Sequence, residues 1–199
     1  HICGVQEKFE HSKNVVNQDG NDLTIMPDVD YTFAIYTAAD SDDNADATGF
    51  AAFANKNYTV TGSGAPTGTQ KTDANGQFTL KDGWIASFQG IPRFTNVYVV
   101  ETEPNDGYVY TQSLVSVNKA DAADYKYGEK TETKVMQLNS SINFDFINKM
   151  KTQPLTIEKE VTGGADGLLN PNQEFAFDLV FTKDCVTIPS VETTGAMSS

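Results

Sequence analysis

No stretch of this 199-residue chain sustains a helical period; its apolar residues recur instead in short alternating runs. VDYTFAIYT, FAAFANKNYTVT, GQFTL, WIASF, NVYVVETE, GYVYTQSLVSV, SINFDFIN, PLTIEKEVT and QEFAFDLVF are rich in Tyr, Phe, Val, Ile and Thr. Turn signals such as Asn75-Gly76, Asp82-Gly83 and Asp106-Gly107 separate them. Alternation buries one face of each strand, so the chain is expected to be all-β, and this strand spacing suggests a sandwich. At most one helical turn is expected, in KADAADY.

Three runs break their own pattern. In NVYVVETE, Val97, Val99 and Glu101 share a face; in SINFDFINK, Ile142, Phe144, Phe146 and Asn148 do; in PLTIEKEVT, Leu155, Ile157, Lys159 and Val161 do. A carboxyl, an amide and an amine are thus expected to point inward. Burying such groups costs several kcal/mol, on the order of what whole-domain stability amounts to, unless they are paired or neutralised. The three positions therefore suggest chemistry or a special structural bond.

Composition narrows the partners. The 39% hydrophobic content is enough for a buried core, and the net charge of −13 arises from 27 acids against 14 bases with no basic run. Nucleic acid and anionic membranes are poor partners for such a surface. No apolar stretch approaches the roughly 20 residues of a membrane helix, so no membrane insertion is expected. Neither terminus reads as a secretory signal, and any targeting or anchoring segment is expected to lie outside these residues.

Cys3 and Cys185 lie near opposite ends and read as free thiols rather than a disulfide framework or a zinc site. His1 and His11 are the only histidines, and they support no Ser-His-Asp or Cys-His arrangement. No enzyme and no cofactor are expected. AADSDDNADATG spaces Asp40, Asp42, Asn44 and Asp46 as a calcium loop would, but Ala45 and Ala51 stand where an EF-hand needs glycine and glutamate, so a solvated acidic loop is expected. GSGAPTGT lacks the Gly-Lys-Ser/Thr of a phosphate loop and reads as a linker or hairpin tip.

NKMKTQP, residues 148–154, marks the expected domain boundary, with a first domain over 1–150 and a second over 151–199. LTIEKEVTGG and NQEFAFDLVF would supply a strand, a Gly-rich loop and a second strand. Some 45 residues follow Pro154, few for an independent core, so the second domain is expected to be incomplete or completed by a partner.

TDANGQFTLKDGWIASFQGIP, NVYVVETEPNDGYVY, INFDFINK and LTIEKEVTGG with NQEFAFDLVF, in that order, resemble the immunoglobulin-like stalk domains of Gram-positive surface proteins. They are especially similar to the Cna-B-type modules of sortase-assembled pilins, including streptococcal major pilins. The resemblance covers most of residues 70–182. Earlier residues match mainly through a lysine-bearing opening strand and PDVDYTFAIYT.

The resemblance implies an Ig-like (Cna-B-type) β-sandwich followed by the start of a second one, displayed on the bacterial cell surface as part of a pilus or adhesin stalk. It implies an intramolecular bond between a first-strand lysine and a last-strand asparagine, promoted by a buried acid. Glu101 is then the acid, with Glu103 as fallback, and Asn148 the acceptor. Lys8 in VQEKFE is the expected lysine, although Gln6 and Glu10 flank it where the family has apolar residues; Lys13 stands second. Lys159 would be the reactive lysine of the second domain, with no asparagine after Asn172 to receive it.

Other pilin or surface-protein subunits are the implied partners. A host protein or glycan bound through loops 38–49 and 62–75 is the alternative. VETTG, residues 191–195, resembles a Leu-Pro-X-Thr-Gly sorting signal only faintly, with Glu192 in place of proline, and reads as a chance match in a flexible tail. Lys126, Lys130 and Lys134 are equal candidates for an intersubunit link.

Overall fold

The computed structural model describes residues 6–39, 49–131, 136–138, 141–160, 162, 174–183 and 186–196. Its strands are β1 (Gln6–Asn17), β2 (Tyr31–Ala39), β3 (Ala51–Ala52), β4 (Asn57–Thr61), β5 (Gln70–Lys71), β6 (Gln77–Leu80) and β7 (Ile85–Pro92). There follow β8 (Thr95–Glu101), β9 (Tyr110–Val117), β10 (Ala123–Asp124), β11 (Met136–Leu138), β12 (Ile142–Met150), β13 (Glu174–Lys183) and β14 (Val186–Ala196). KADAADY contributes β10 rather than a helical turn. The acidic run at Asp40, Asp42, Asn44 and Asp46 lies outside the described residues, as do Cys3, Cys185, Lys134 and Val161.

The chain divides into two compact units, His1–Thr152 and Gln153–Ser199. In the first, two sheets enclose one core, giving an all-β, Ig-like sandwich. A seven-stranded sheet runs β10-β9-β12-β1-β7-β4-β5, and a five-stranded sheet runs β11-β8-β2-β3 with β6 also paired to β2. First and last strands of the unit lie side by side: β1 pairs with β12 in parallel from Phe9↔Ile142 to Asn17↔Met150, and β12 pairs antiparallel with β9.

Alternation sets which residues meet inside. Phe9 and Val15 of β1 are buried, as are Ile142, Phe144, Phe146 and Met150 of β12, Ala86 and Phe88 of β7, and Val115 of β9. Across the core, Tyr31, Phe33 and Ile35 of β2, Phe78 and Leu80 of β6, and Val97 and Val99 of β8 close the other side. Burying aromatic side chains of this size is the main stabilising contribution, at about 25 cal/mol per Å² of apolar surface.

The second unit contains a two-stranded antiparallel sheet of β13 and β14, with Phe175, Phe177 and Leu179 half-buried on one side of β13. Here the structure corrects the sequence reading. Residues 151–160 form no strand, Leu155 is 62% exposed, and Lys159 is exposed with its Nζ 5.4 Å from the centroid of the Phe175 ring. Among the described residues no neighbouring strand pairs with this segment, so nothing draws its alternating face inward. VETTG lies within β14, opposite residues 175–179 of β13, rather than in a loose tail.

Gly76 sits where a side chain cannot. Its φ is +71°, and a Cβ there would lie 2.6 Å from the carbonyl oxygen of Ile35 and 2.8 Å from the amide nitrogen of Phe53. The Asp73 carboxylate accepts the N–H groups of Asn75 and Gln77, tying the turn that places this close approach. Gly76→Ala is expected to destabilise the first unit by about 2 kcal/mol, read as a lower urea midpoint, because both the backbone region and the space exclude a methyl group. An unchanged midpoint would contradict it.

His11 lies within the aromatic core, fully buried, its ring 4.8 Å from that of Phe146, 4.2 Å from Phe33 and 5.2 Å from Phe78. Neither ring nitrogen has a hydrogen-bond partner. Burial, reinforced by the charge of Lys13, pushes its pKa from 6.5 down to about 3. The folded form therefore keeps His11 neutral while the unfolded chain takes up a proton below pH 6.5. Stability should fall between pH 6.5 and about 3, by about 2 kcal/mol at pH 5 from this residue. Urea titrations of His11→Leu should show that much less acid loss between pH 7 and 5 than the parent; parallel curves would refute the assignment.

Candidate functional site

Lys13, Glu101 and Asn148 meet in the middle of the sandwich, each with 0% exposure. The Lys13 Nζ donates to Glu101 Oε1 at 3.0 Å, and the Asn148 Nδ2 donates to the same oxygen at 2.8 Å. Amine and amide thus share one carboxylate oxygen. The ring of Tyr31 lies under the amine, 4.6 Å from Nζ to centroid, and that of Phe33 is 5.9 Å away.

Each strand delivers its residue by alternation. Lys13 has the phase of Phe9 and Val15, Asn148 that of Phe146 and Met150, and Glu101 that of Val97 and Val99. Local bonds then fix the main chain. The Lys13 amide donates to the Trp84 carbonyl, the Gly83 amide donates to the Lys13 carbonyl, and Asp82 Oδ1 accepts the Val15 amide at 2.7 Å. Glu101 is held at both polar groups: its amide donates to the Tyr125 hydroxyl at 2.9 Å, and its carbonyl accepts the Gly128 amide at 2.9 Å.

Electrostatics favour a reactive amine. Burial pulls the Lys13 pKa from 10.5 down to about 8, against the opposing pull of Glu101 and, more weakly, Asp82. A neutral amine is therefore accessible near physiological pH, where an exposed lysine would hold its proton almost completely. A nucleophile and an amide each hydrogen-bond the same proton carrier in a site from which bulk water is excluded.

Two residues of the sequence reading occupy the expected place, and one does not. Glu101 and Asn148 face inward and touch. Lys8 does not join them: its side chain is 45% exposed and pairs with Glu10 on the outside of β1. Lys13, the second choice, takes the inner position. The cause is strand phase, since Lys8 alternates against Phe9 whereas Lys13 alternates with it. Glu103 is exposed, past the end of β8. Lys126 and Lys130 are exposed, Lys130 with its Nζ 4.8 Å from the Tyr98 ring centroid. Sequence reasoning overlooked Tyr31, Ser113, Tyr125 and Tyr127, although Ser113 has the phase of buried Val115 and could have been found that way.

Among the described residues no cluster of His, Cys, Asp and Glu is arranged to hold a metal ion, and no helix is long and apolar enough to cross a membrane.

Comparison with known proteins gives a family and a set of structural likenesses. The major pilin of Streptococcus pyogenes is similar over 74% of this chain and 48% of its own, at 20% identity and a TM-score of 0.47. A second major pilin of that species, T3.2, is similar over 73% of this chain and 45% of its own, at 17% identity and a TM-score of 0.42. A pilus-presented adhesin, Cpa, is similar over 76% of this chain and 28% of its own, at 16% identity and a TM-score of 0.46. The chain thus spans less than half the length of these proteins. No curated protein sequence matches it. A family model, described as a domain of unknown function, DUF7601, matches residues 10–150. That stretch holds the whole Lys13, Glu101 and Asn148 cluster, and the chain belongs to the DUF7601 family.

Proposed function

We propose that the first unit is a structural module of an extracellular surface fibre, closed by an autocatalytic isopeptide bond between Lys13 and Asn148 that Glu101 promotes. One observation carries this reading: a fully buried amine and a fully buried amide bound to the same carboxylate oxygen. An ion pair so enclosed is seldom more stabilising than apolar residues of the same size, so stability alone gives little reason for it.

The chemistry balances with these three residues. Lys13 passes one proton to Glu101, leaving a free amine and a carboxylic acid. The amine attacks Cγ of Asn148 while the acid, whose Oε1 lies within hydrogen-bond distance of both nitrogens, relays protons between them. A bond forms between Nζ and Cγ, a second amine proton moves to Nδ2, and the Cγ–Nδ2 bond breaks. Ammonia leaves, carrying two protons from the amide and one from the lysine. Each chain reacts once, and no external substrate is turned over.

Position explains what such a bond would do. β1 and β12 are parallel neighbours, so tension applied at the unit's two ends pulls them in opposite directions along their shared ladder. A bond from Lys13 to Asn148 carries that tension directly and leaves the chain between them outside the path. It would also constrain the unfolded chain as a long-range disulfide does, by about 5 kcal/mol for a closure of this length, and would survive reduction. The sequence resemblance to pilin stalk modules supports a place in a polymerised or wall-attached fibre, with other surface-protein subunits as partners.

Intact mass tests the bond. The purified chain should weigh one ammonia less than its sequence, and Glu101→Gln should restore the full mass. The variant should also melt at lower temperature, having lost the covalent closure and left Lys13 without its carboxylate. A parent chain of full mass would mean that the three residues form only a buried ion pair and hydrogen bond.

A further inference from the structure

Four polar atoms around the cluster are buried without a well-formed hydrogen bond: Glu101 Oε2 and Asn148 Oδ1, which meet no partner, and Ser113 Oγ and the hydroxyl of Tyr127, which adjoin each other. Each such atom costs about 1–3 kcal/mol if left unmade, and native proteins carry few of them. These four come from one neighbourhood. Ser113 of β9 stands directly opposite Asn148 of β12, and side chains so paired share a face with their Cβ atoms about 5 Å apart. Tyr127 follows β10 in the segment whose Tyr125 hydroxyl and Gly128 amide clamp the Glu101 main chain. Its phenol is pushed up to about 12, chiefly by burial; the Ser113 hydroxyl alongside it pulls the other way, and the Glu101 charge adds to the rise.

We propose that Ser113 and Tyr127, with Glu101 Oε2 and Asn148 Oδ1, form a site for one small hydrogen-bonding molecule: water in the resting protein, and the ammonia released when Lys13 and Asn148 join. This inference rests on the crosslinking reaction proposed above.

Donor and acceptor counts match. Ammonia offers three N–H groups and one lone pair, and water two of each; the site offers two hydroxyls that donate or accept and two oxygens that accept. The carboxyl group then has a division of labour. Oε1 holds the two nitrogens that are to exchange at Cγ, and Oε2 faces the molecule that leaves. Tyr127 is half-buried with its hydroxyl enclosed, whereas Glu101 and Asn148 are fully enclosed, so Tyr127 forms the outer side of the site. Held there, ammonia is drawn off the newly formed carbonyl carbon and its return attack is suppressed. Ser113 and Tyr127 act on the departing group.

Freshly synthesised chain, sampled over time by intact mass, tests the site. Ser113→Ala and Tyr127→Phe each remove one hydroxyl and keep the shape, and each should slow the loss of ammonia roughly 10-fold, the cost of one hydrogen bond of about 1.4 kcal/mol. Ser113→Thr, which keeps the hydroxyl, should react at close to the parent rate. Parent-like rates in both Ser113→Ala and Tyr127→Phe, with the parent itself losing one ammonia, would overturn the site and leave the crosslink standing. A parent that never loses ammonia would instead remove the crosslink, and the ammonia site with it. A crystal structure of the parent protein supplies a measurement independent of how the variants fold: density for one molecule bonded to Glu101 Oε2 and to the Ser113 or Tyr127 hydroxyl supports the site, and Glu101 Oε2 packed dry with the two hydroxyls bonded only to each other overturns it.

Discussion

The contact between Lys13 and Glu101 is the constraint around which the first unit is organised. An ammonium group inside an aromatic core is tolerated only if an anion meets it there, and that anion must reach it from the opposite sheet. The pairing therefore fixes the distance between β1 and β8 and the end at which β8 stops. Its supports lie in sequence-distant turns: Gly83 and Trp84 bond the Lys13 main chain, Asp82 bonds that of Val15, and Tyr125 and Gly128 bond that of Glu101. Tyr125 does two things at once, accepting from the Glu101 amide and donating to the Glu129 carbonyl at 2.6 Å. Movement of either turn would detune the site without touching a reacting atom.

Glu101 and Asn148 were legible in the sequence because their strands alternate cleanly, with apolar residues at every second position up to the polar one. β1 hides its phase. Its inner face reads Phe9, His11, Lys13, Val15, two apolar residues separated by two that are usually outside, and a register shift against β7 falls between Glu7 and Phe9. Lys8 then looks as plausible as Lys13 until Phe9 and Val15 are both taken as inward. The all-β sandwich was legible from strand and turn signals alone. The seven-against-five division of strands was not, because β3, β5 and β10 are two-residue pairings with no periodicity to read.

The second unit illustrates the opposite limit. Periodicity in residues 154–161 reads as a strand, yet a strand needs a neighbour for its amide and carbonyl groups. The β13–β14 pair by itself is only marginally stable on general grounds, and Val180 of β13 remains exposed, as do Leu155 and Ile157. Alternating pattern records a capacity to be buried; it becomes structure where something supplies the other side.

Pairing the opening strand with the closing one also dates the events in the life of the molecule. β1 is synthesised first but cannot take its parallel place until β12 has left the ribosome, and contacts so far apart in sequence form slowly. Until then the Lys13 amine belongs to an open strand edge, solvated and fully protonated, and Asn148 does not yet exist. The proposed reaction would thereby be withheld from nascent and truncated chains. A covalent mark between Lys13 and Asn148 would certify that translation and folding had both run to the end of the module.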